Sequence, residues 1–143
     1  MRFMIIRKAD ATTEAGVRPK PALLTAMESY MDEMGKAGVW LAGDGLKASG
    51  TGKRVEFTDG KPTVIDGPFT ETKELVAGYV IIDVPSIEHA VAWAKKWPTA
   101  DAEGGVRLEI RPFFEADDFR DALPHEVPAR QARQRAARAG NTN

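Results

Sequence analysis

The sequence predicts an α+β fold: an antiparallel sheet built in the order β-α-β-β-α-β, with both helices on one face and a β-hairpin inserted between the middle strands. Three observations predict it. Apolar runs of strand length and amphipathic runs of helix length alternate in that order along the 143 residues. The stretch from Lys53 to Asp66 alternates on its own and carries its own turn, so it is an insertion. Two strands, Phe3-Met4-Ile5-Ile6 and Val76-Ala77-Gly78-Tyr79-Val80-Ile81-Ile82, are apolar on both faces and belong at the sheet's centre. This is the ferredoxin-like arrangement.

The first strand runs from Arg2 to Arg7. Asp10 to Lys20 is small and polar and reads as a loop. Pro19 and Pro21 then introduce a helix to about Ala37, because proline suits a first helical turn. Leu23, Leu24, Met27, Tyr30, Met31 and Met34 make its apolar stripe, and Gly38 ends it. Val39 to Ala42 is a short strand that leads into Gly43-Asp44-Gly45-Leu46. In the hairpin, Val55 and Phe57 alternate with polar neighbours, Asp59-Gly60 turns, and Thr63 to Ile65 returns. Leu75 to Val84 is the strongest strand. Ser86 caps a second helix whose inward stripe is Ile87, Ala90, Val91, Ala94 and Trp97, with Pro98 as its stop. Val106 to Phe113 alternates as the closing strand.

Two helices cover only one face of a sheet whose central strands are apolar on both. A second copy of the chain is the simplest cover for the other face, giving a homodimer of the dimeric α+β barrel type with a site between the sheets. With 43% hydrophobic and 29% charged residues the chain is an ordinary globular protein. No apolar run approaches the roughly 20 residues of a membrane span, and the N-terminus lacks a cleavage site, so the expected location is the cytoplasm. The absence of cysteine excludes disulfides and thiolate chemistry. Residues 1–124 carry 16 Lys and Arg against 20 Asp and Glu, whereas residues 125–143 carry four arginines against Glu126. The domain is therefore drawn as 1–114, with an Arg- and Ala-rich extension over 115–143. Four arginines without a nucleic-acid fold make nucleic acid an unexpected partner.

The candidate chemistry lies in two places. Asp66-Gly67-Pro68-Phe69-Thr70-Glu71-Thr72-Lys73-Glu74 joins the hairpin to the long strand. As a structural corner, Gly67 supplies a glycine-only conformation, Asp66 accepts the Phe69 N–H and Phe69 anchors the turn in the core. As a site, Asp66, Thr72, Lys73 and Glu74 line a cleft. Asp44, flanked by glycines at a strand end, suits a general acid or base and equally a plain turn. Arg111 on the last strand can hold an anionic ligand or make an edge salt bridge. Gly50-Thr51-Gly52-Lys53 lacks the spacing of a phosphate loop and reads as a flexible connector. His89 and His125 lie far apart in sequence, and neither metal nor cofactor is predicted. Trp40, Trp93 and Trp97 read as core and interface residues.

The nine-residue block, together with Ala42-Gly43-Asp44-Gly45-Leu46 and Glu109-Ile110-Arg111-Pro112, resembles the DGPF branch of the YCII-related family, small bacterial α+β proteins, from Met1 to about Phe114. The resemblance implies a His–Asp pair as the catalytic centre, with Asp44 as its Asp. The matching His is missing, so Asp66 or Glu74 would have to serve as partner, two carboxylates sharing a proton. It also implies association with extracytoplasmic-function sigma factors. Two functions follow as expectations: a small-molecule-binding protein or enzyme with a cleft lined by Asp44, Asp66 and Arg111, or a non-catalytic regulatory module.

Overall fold

The computed structural model describes residues 1–121 and 132–137. Its strands are β1 (Arg2–Lys8), β2 (Trp40–Gly45), β3 (Lys53–Thr58), β4 (Lys61–Asp66), β5 (Val76–Asp83) and β6 (Leu108–Pro112). The helices are α1 (Ala11–Glu14), α2 (Pro21–Lys36) and α3 (Ile87–Ala94). Four strands form one antiparallel sheet in the order β2-β5-β1-β6, while β3 and β4 form a separate two-stranded ribbon. The two strands that are apolar on both faces, β1 and β5, hold the centre.

Strand alternation decides which side chains meet the helices. Phe3 and Ile5 from β1 and Val80 and Ile82 from β5 are buried against Tyr30 and Met34 of α2 and Ala90 of α3. Met4, Ile6, Tyr79 and Ile81 take the opposite face and remain half-buried in the single chain. The Tyr30 hydroxyl donates to the Trp93 carbonyl at 2.8 Å and its ring meets the edge of Trp97 at 5.6 Å, tying the two helical layers together. Burial, aided by the neighbouring Glu33 charge, pushes the Tyr30 phenol well above its ordinary pKa, so it stays a neutral donor.

Several local expectations are corrected. The segment read as a loop contains α1, because Asp10 and Thr13 form a reciprocal capping box that the small residues around it had obscured. The inward-facing residues of α3 and the turn after it are Ala90, Trp93, Ala94 and Trp97; Ile87 and Val91 are exposed. A helix this short, entering at Ser86, turns its tryptophans rather than its β-branched residues onto Tyr30. The Asp59-Gly60 turn adopts left-handed angles at both positions (φ 49° and 76°), as a tight hairpin requires.

Met1–Pro112 forms one compact unit and Phe113–Asn143 a second. Within the second, the rings of Phe114 and Phe119 pack at a tilt with centroids 5.1 Å apart, and Arg135 pairs with Glu115 at 2.8 Å. Of the extension expected over 115–143, His125, Arg130 and Arg138 lie outside the described residues. Among the described residues no helix is long and apolar enough to cross a membrane.

Candidate functional site

The first unit holds an open cavity of about 640 Å³ on the helix side of the sheet. Its origin is a set of missing side chains. The pairing register sets Gly43 opposite Val80 and Gly45 opposite Gly78, so three glycines occupy helix-facing positions near one end of β2 and β5. Leu23, Leu24, Met27 and Met31 of α2 wall the space they leave. Gly43 and Gly78 are fixed by contact: an added Cβ would lie 2.5 Å from the Trp40 ring and 3.1 Å from the Asp44 carbonyl, respectively. At Gly45 the nearest atom is 4.0 Å away, so a side chain there has room to enter.

Arg7 and Asp101 also line the cavity, and both are buried. Arg7 follows Phe3 and Ile5 in the helix-facing phase of β1, so the fold carries a guanidinium into its interior. Asp101 meets it with both oxygens, at 3.1 Å from Nε and 2.6 Å from Nη2. Trp97 donates its indole N–H to Asp101 at 2.9 Å, Asp10 lies 3.0 Å from Nη2, and the Lys8 carbonyl accepts from Nη1 at 2.8 Å. Among the described residues, four of the five guanidinium N–H donors thus have partners, leaving one on Nη1. The hydrogen bond to Asp101 is the main reason Arg7 holds its proton more tightly than usual, against the cost of burial. For Asp10, burial favours the acid form, but the Thr13 N–H and the Arg7 charge outweigh it and hold the carboxyl below its ordinary range. The backbone gives up stability to present Asp101: Ala102 and Glu103, which follow it, are left-handed (φ 48° and 53°).

A hydrogen-bonded joint lies beside the cavity. Thr13, Gly16, Val17, Arg18 and Pro19 line one side, and Leu46, Lys47, Ala48 and Thr51 line another. Glu14 links the two, accepting the Ser49 N–H at 3.0 Å and the Ser49 hydroxyl at 2.5 Å. Ser49 Oγ in turn accepts the Phe69 N–H at 3.0 Å, and the Gly67 N–H reaches the Gly52 carbonyl at 3.1 Å. The Gly50-Thr51-Gly52-Lys53 stretch, expected to be a flexible connector, instead joins a 3₁₀ turn over Ser49–Thr51 to the start of β3 at Lys53.

A family model for the YCII-related domain matches residues 1–114. The chain belongs to the YCII-related family. An uncharacterized protein of Rhizobium meliloti (strain 1021) is 40% identical over 53 residues, 37% of this chain and 42% of that protein, so the match spans about two fifths of the relative's length. A structural likeness, with TM-score 0.44 and 13% identity over 82% of this chain and 98% of the other, is to 5-chloro-2-hydroxyhydroquinone dehydrochlorinase of Burkholderia phenoliruptrix AC1100, solved with 2,5-dihydroxybenzoquinone.

In this YCII-related domain the residues singled out from sequence are dispersed. Asp44 lines the cavity; Asp66, Thr72, Lys73, Glu74 and Arg111 do not. Asp44 pairs with Tyr79 between two helix-facing glycines, so its side chain leaves the edge strand from the other face. Asp66 is exposed and ion-paired with Lys53 across the ribbon, and the Phe69 N–H that it was expected to accept goes to Ser49. Phe69 is half-buried under the Arg54 guanidinium, 3.9 Å from its ring centre, rather than in the core. Gly67 has no left-handed angle; glycine is needed there because a Cβ would lie 1.8 Å from the Ser49 carbonyl oxygen. The carbonyls of Lys73 and Glu74 accept from Arg107 and Lys8 at 3.2 Å each, and Arg111 sits 3.7 Å from Glu109. His89 is exposed and bonded to the Ser86 hydroxyl, a helix-capping arrangement. Sequence reasoning missed Arg7, Asp101 and Ser49. The one available signal was an arginine in phase with Phe3 and Ile5.

Proposed function

We propose that this YCII-related protein binds a small, largely apolar organic molecule in the helix-side cavity. The observation that carries the reading is a space of about 640 Å³, of ordinary ligand-site size, whose apolar helix wall faces a buried arginine. Arg7 retains one N–H to orient an acceptor atom, and Asp101 and Trp97 hold its guanidinium in place. Asp44 borders the site, but its carboxylate leaves β2 on the helix-free face, so any proton transfer by Asp44 belongs to that face and not to this cavity. Binding is the role the geometry supports best. The decisive experiment is a thermal-shift screen of small organic molecules against the wild type and Gly45→Leu, which projects a leucine side chain into the cavity. Ligands that stabilise the wild type alone support the reading; ligands that stabilise both proteins equally refute it.

The protein acts in this proposal as a homodimer through the helix-free face, where Met4, Ile6, Tyr79 and Ile81 are incompletely covered. The Asp66-Gly67-Pro68-Phe69 block supports placement in the DGPF branch. One observation favours the second reading, a regulatory module that contacts a protein such as a sigma factor. Every residue of β3 and β4 is exposed, and Val55, Phe57 and Val64 share one face of the ribbon. Phe57→Ser should abolish such a contact and leave cavity binding unchanged.

A further inference from the structure

We infer that the cavity takes an organic anion, an apolar body bearing one acidic group that is held by Arg18 and Lys47. The inference rests on the binding role proposed above and adds the chemical class of the ligand and its orientation. Three large apolar side chains lining the cavity, Val17, Leu24 and Leu46, remain more than half exposed at 57%, 56% and 52%. An apolar body seated among them would remove that surface from water.

The charges decide where the acidic group goes. At the buried end Arg7 is matched by Asp101 and opposed also by Asp10, so that end carries no surplus positive charge. Arg18 and Lys47, by contrast, line the cavity, are exposed, and have no ion-pair partner among the described residues. Elsewhere Lys53, Lys96 and Arg111 each sit against a carboxylate. Against these two cations stands the one Glu14 carboxylate, bonded to neutral Ser49 between the same two segments, so one positive charge remains in surplus, a field that favours an anion at the exposed end and an uncharged body below it.

The test uses two dyes with the same ring body: 8-anilinonaphthalene-1-sulfonate, which carries a sulfonate, and neutral N-phenyl-1-naphthylamine. The sulfonate should bind about tenfold more tightly at low salt, as two exposed charge pairs at about two- to fivefold each imply. Arg18→Gln and Lys47→Gln should each weaken the sulfonate about two- to fivefold and leave the neutral dye unchanged. Salt near 0.5 M, where screening acts within about 5 Å, should erase the difference. Gly45→Leu, or Leu24→Trp from the opposite wall should the first fail to fold, should displace both dyes. Equal affinity for both dyes, displaced by the filled variants, overturns the anion inference while the cavity reading stands. Dyes that bind the wild type and the filled variants alike, or do not bind at all, remove the cavity reading itself.

Discussion

Asp101→Ala tests whether the cavity is built on a buried ion pair. Arg7 and Asp101 side chains are only 8% and 7% exposed, so removing the carboxylate strands a cation out of water. Breaking such a pair costs about 3–5 kcal/mol. Two features act against each other here. Asp10 remains 3.0 Å from Nη2 and preserves part of the attraction, while the Trp97 N–H loses its acceptor. A loss near the lower end, about 3–4 kcal/mol, is expected, which for a chain of this size lowers Tm by about 10–15 °C. Urea unfolding followed by circular dichroism reads it directly. The paired replacement Arg7→Met with Asp101→Leu should recover most of the loss, since an apolar pair of similar volume leaves no charge to satisfy. A loss under about 1 kcal/mol for Asp101→Ala would show that water in the cavity hydrates Arg7 freely, and that the pair does not set the cavity's buried end.

Gly67→Ala should cost at least about 2 kcal/mol, because its Cβ and the Ser49 carbonyl cannot occupy the same space; an unchanged urea midpoint would refute the close approach. Asp10 should contribute to acid sensitivity. Its folded carboxyl lies below the ordinary value of 3.8, so its contribution is complete above that pH and lost as pH falls through the folded value. The stability gap between wild type and Asp10→Asn should therefore be constant at neutral pH and close below about pH 4. Asp44→Asn should leave both Tm, within about 1 °C, and cavity binding unchanged, because Asp44 is exposed and its side chain leaves the sheet on the other face; lost cavity binding would refute that placement. Ile6→Glu, on the helix-free face, should give a monomer by light scattering where the wild type gives a dimer; a wild-type monomer at micromolar concentration would end the dimer proposal.

The sheet and its order were legible because β1 and β5 are apolar on both faces, and no register other than a central one covers them. The hairpin was legible from the alternation of Val55 and Phe57 and the Asp59-Gly60 turn that follows it. The cavity was not, since it depends on Gly43, Gly45 and Gly78 falling in one phase across two strands, and phase between strands follows from pairing rather than from local sequence. The nine-residue block was legible as a corner, but its partner was not. Ser49 lies 20 positions before Phe69, and nothing in the block names it. Asp101 was hidden for the same reason, 94 residues from Arg7 in a short turn of unremarkable composition.

The three glycines of the cavity differ in their freedom to change, and that difference bears on how the protein can evolve. Gly43 and Gly78 are pinned by the Trp40 ring and the Asp44 carbonyl, so substitution there disturbs the sheet. Gly45 faces open space. A single-base change from a glycine codon reaches alanine and valine, among others, so the volume available to a ligand can shrink stepwise through one position while the strands keep their pairing. Relatives that share this fold but bind molecules of different size should differ first at the position of Gly45, and they should keep the other two glycines.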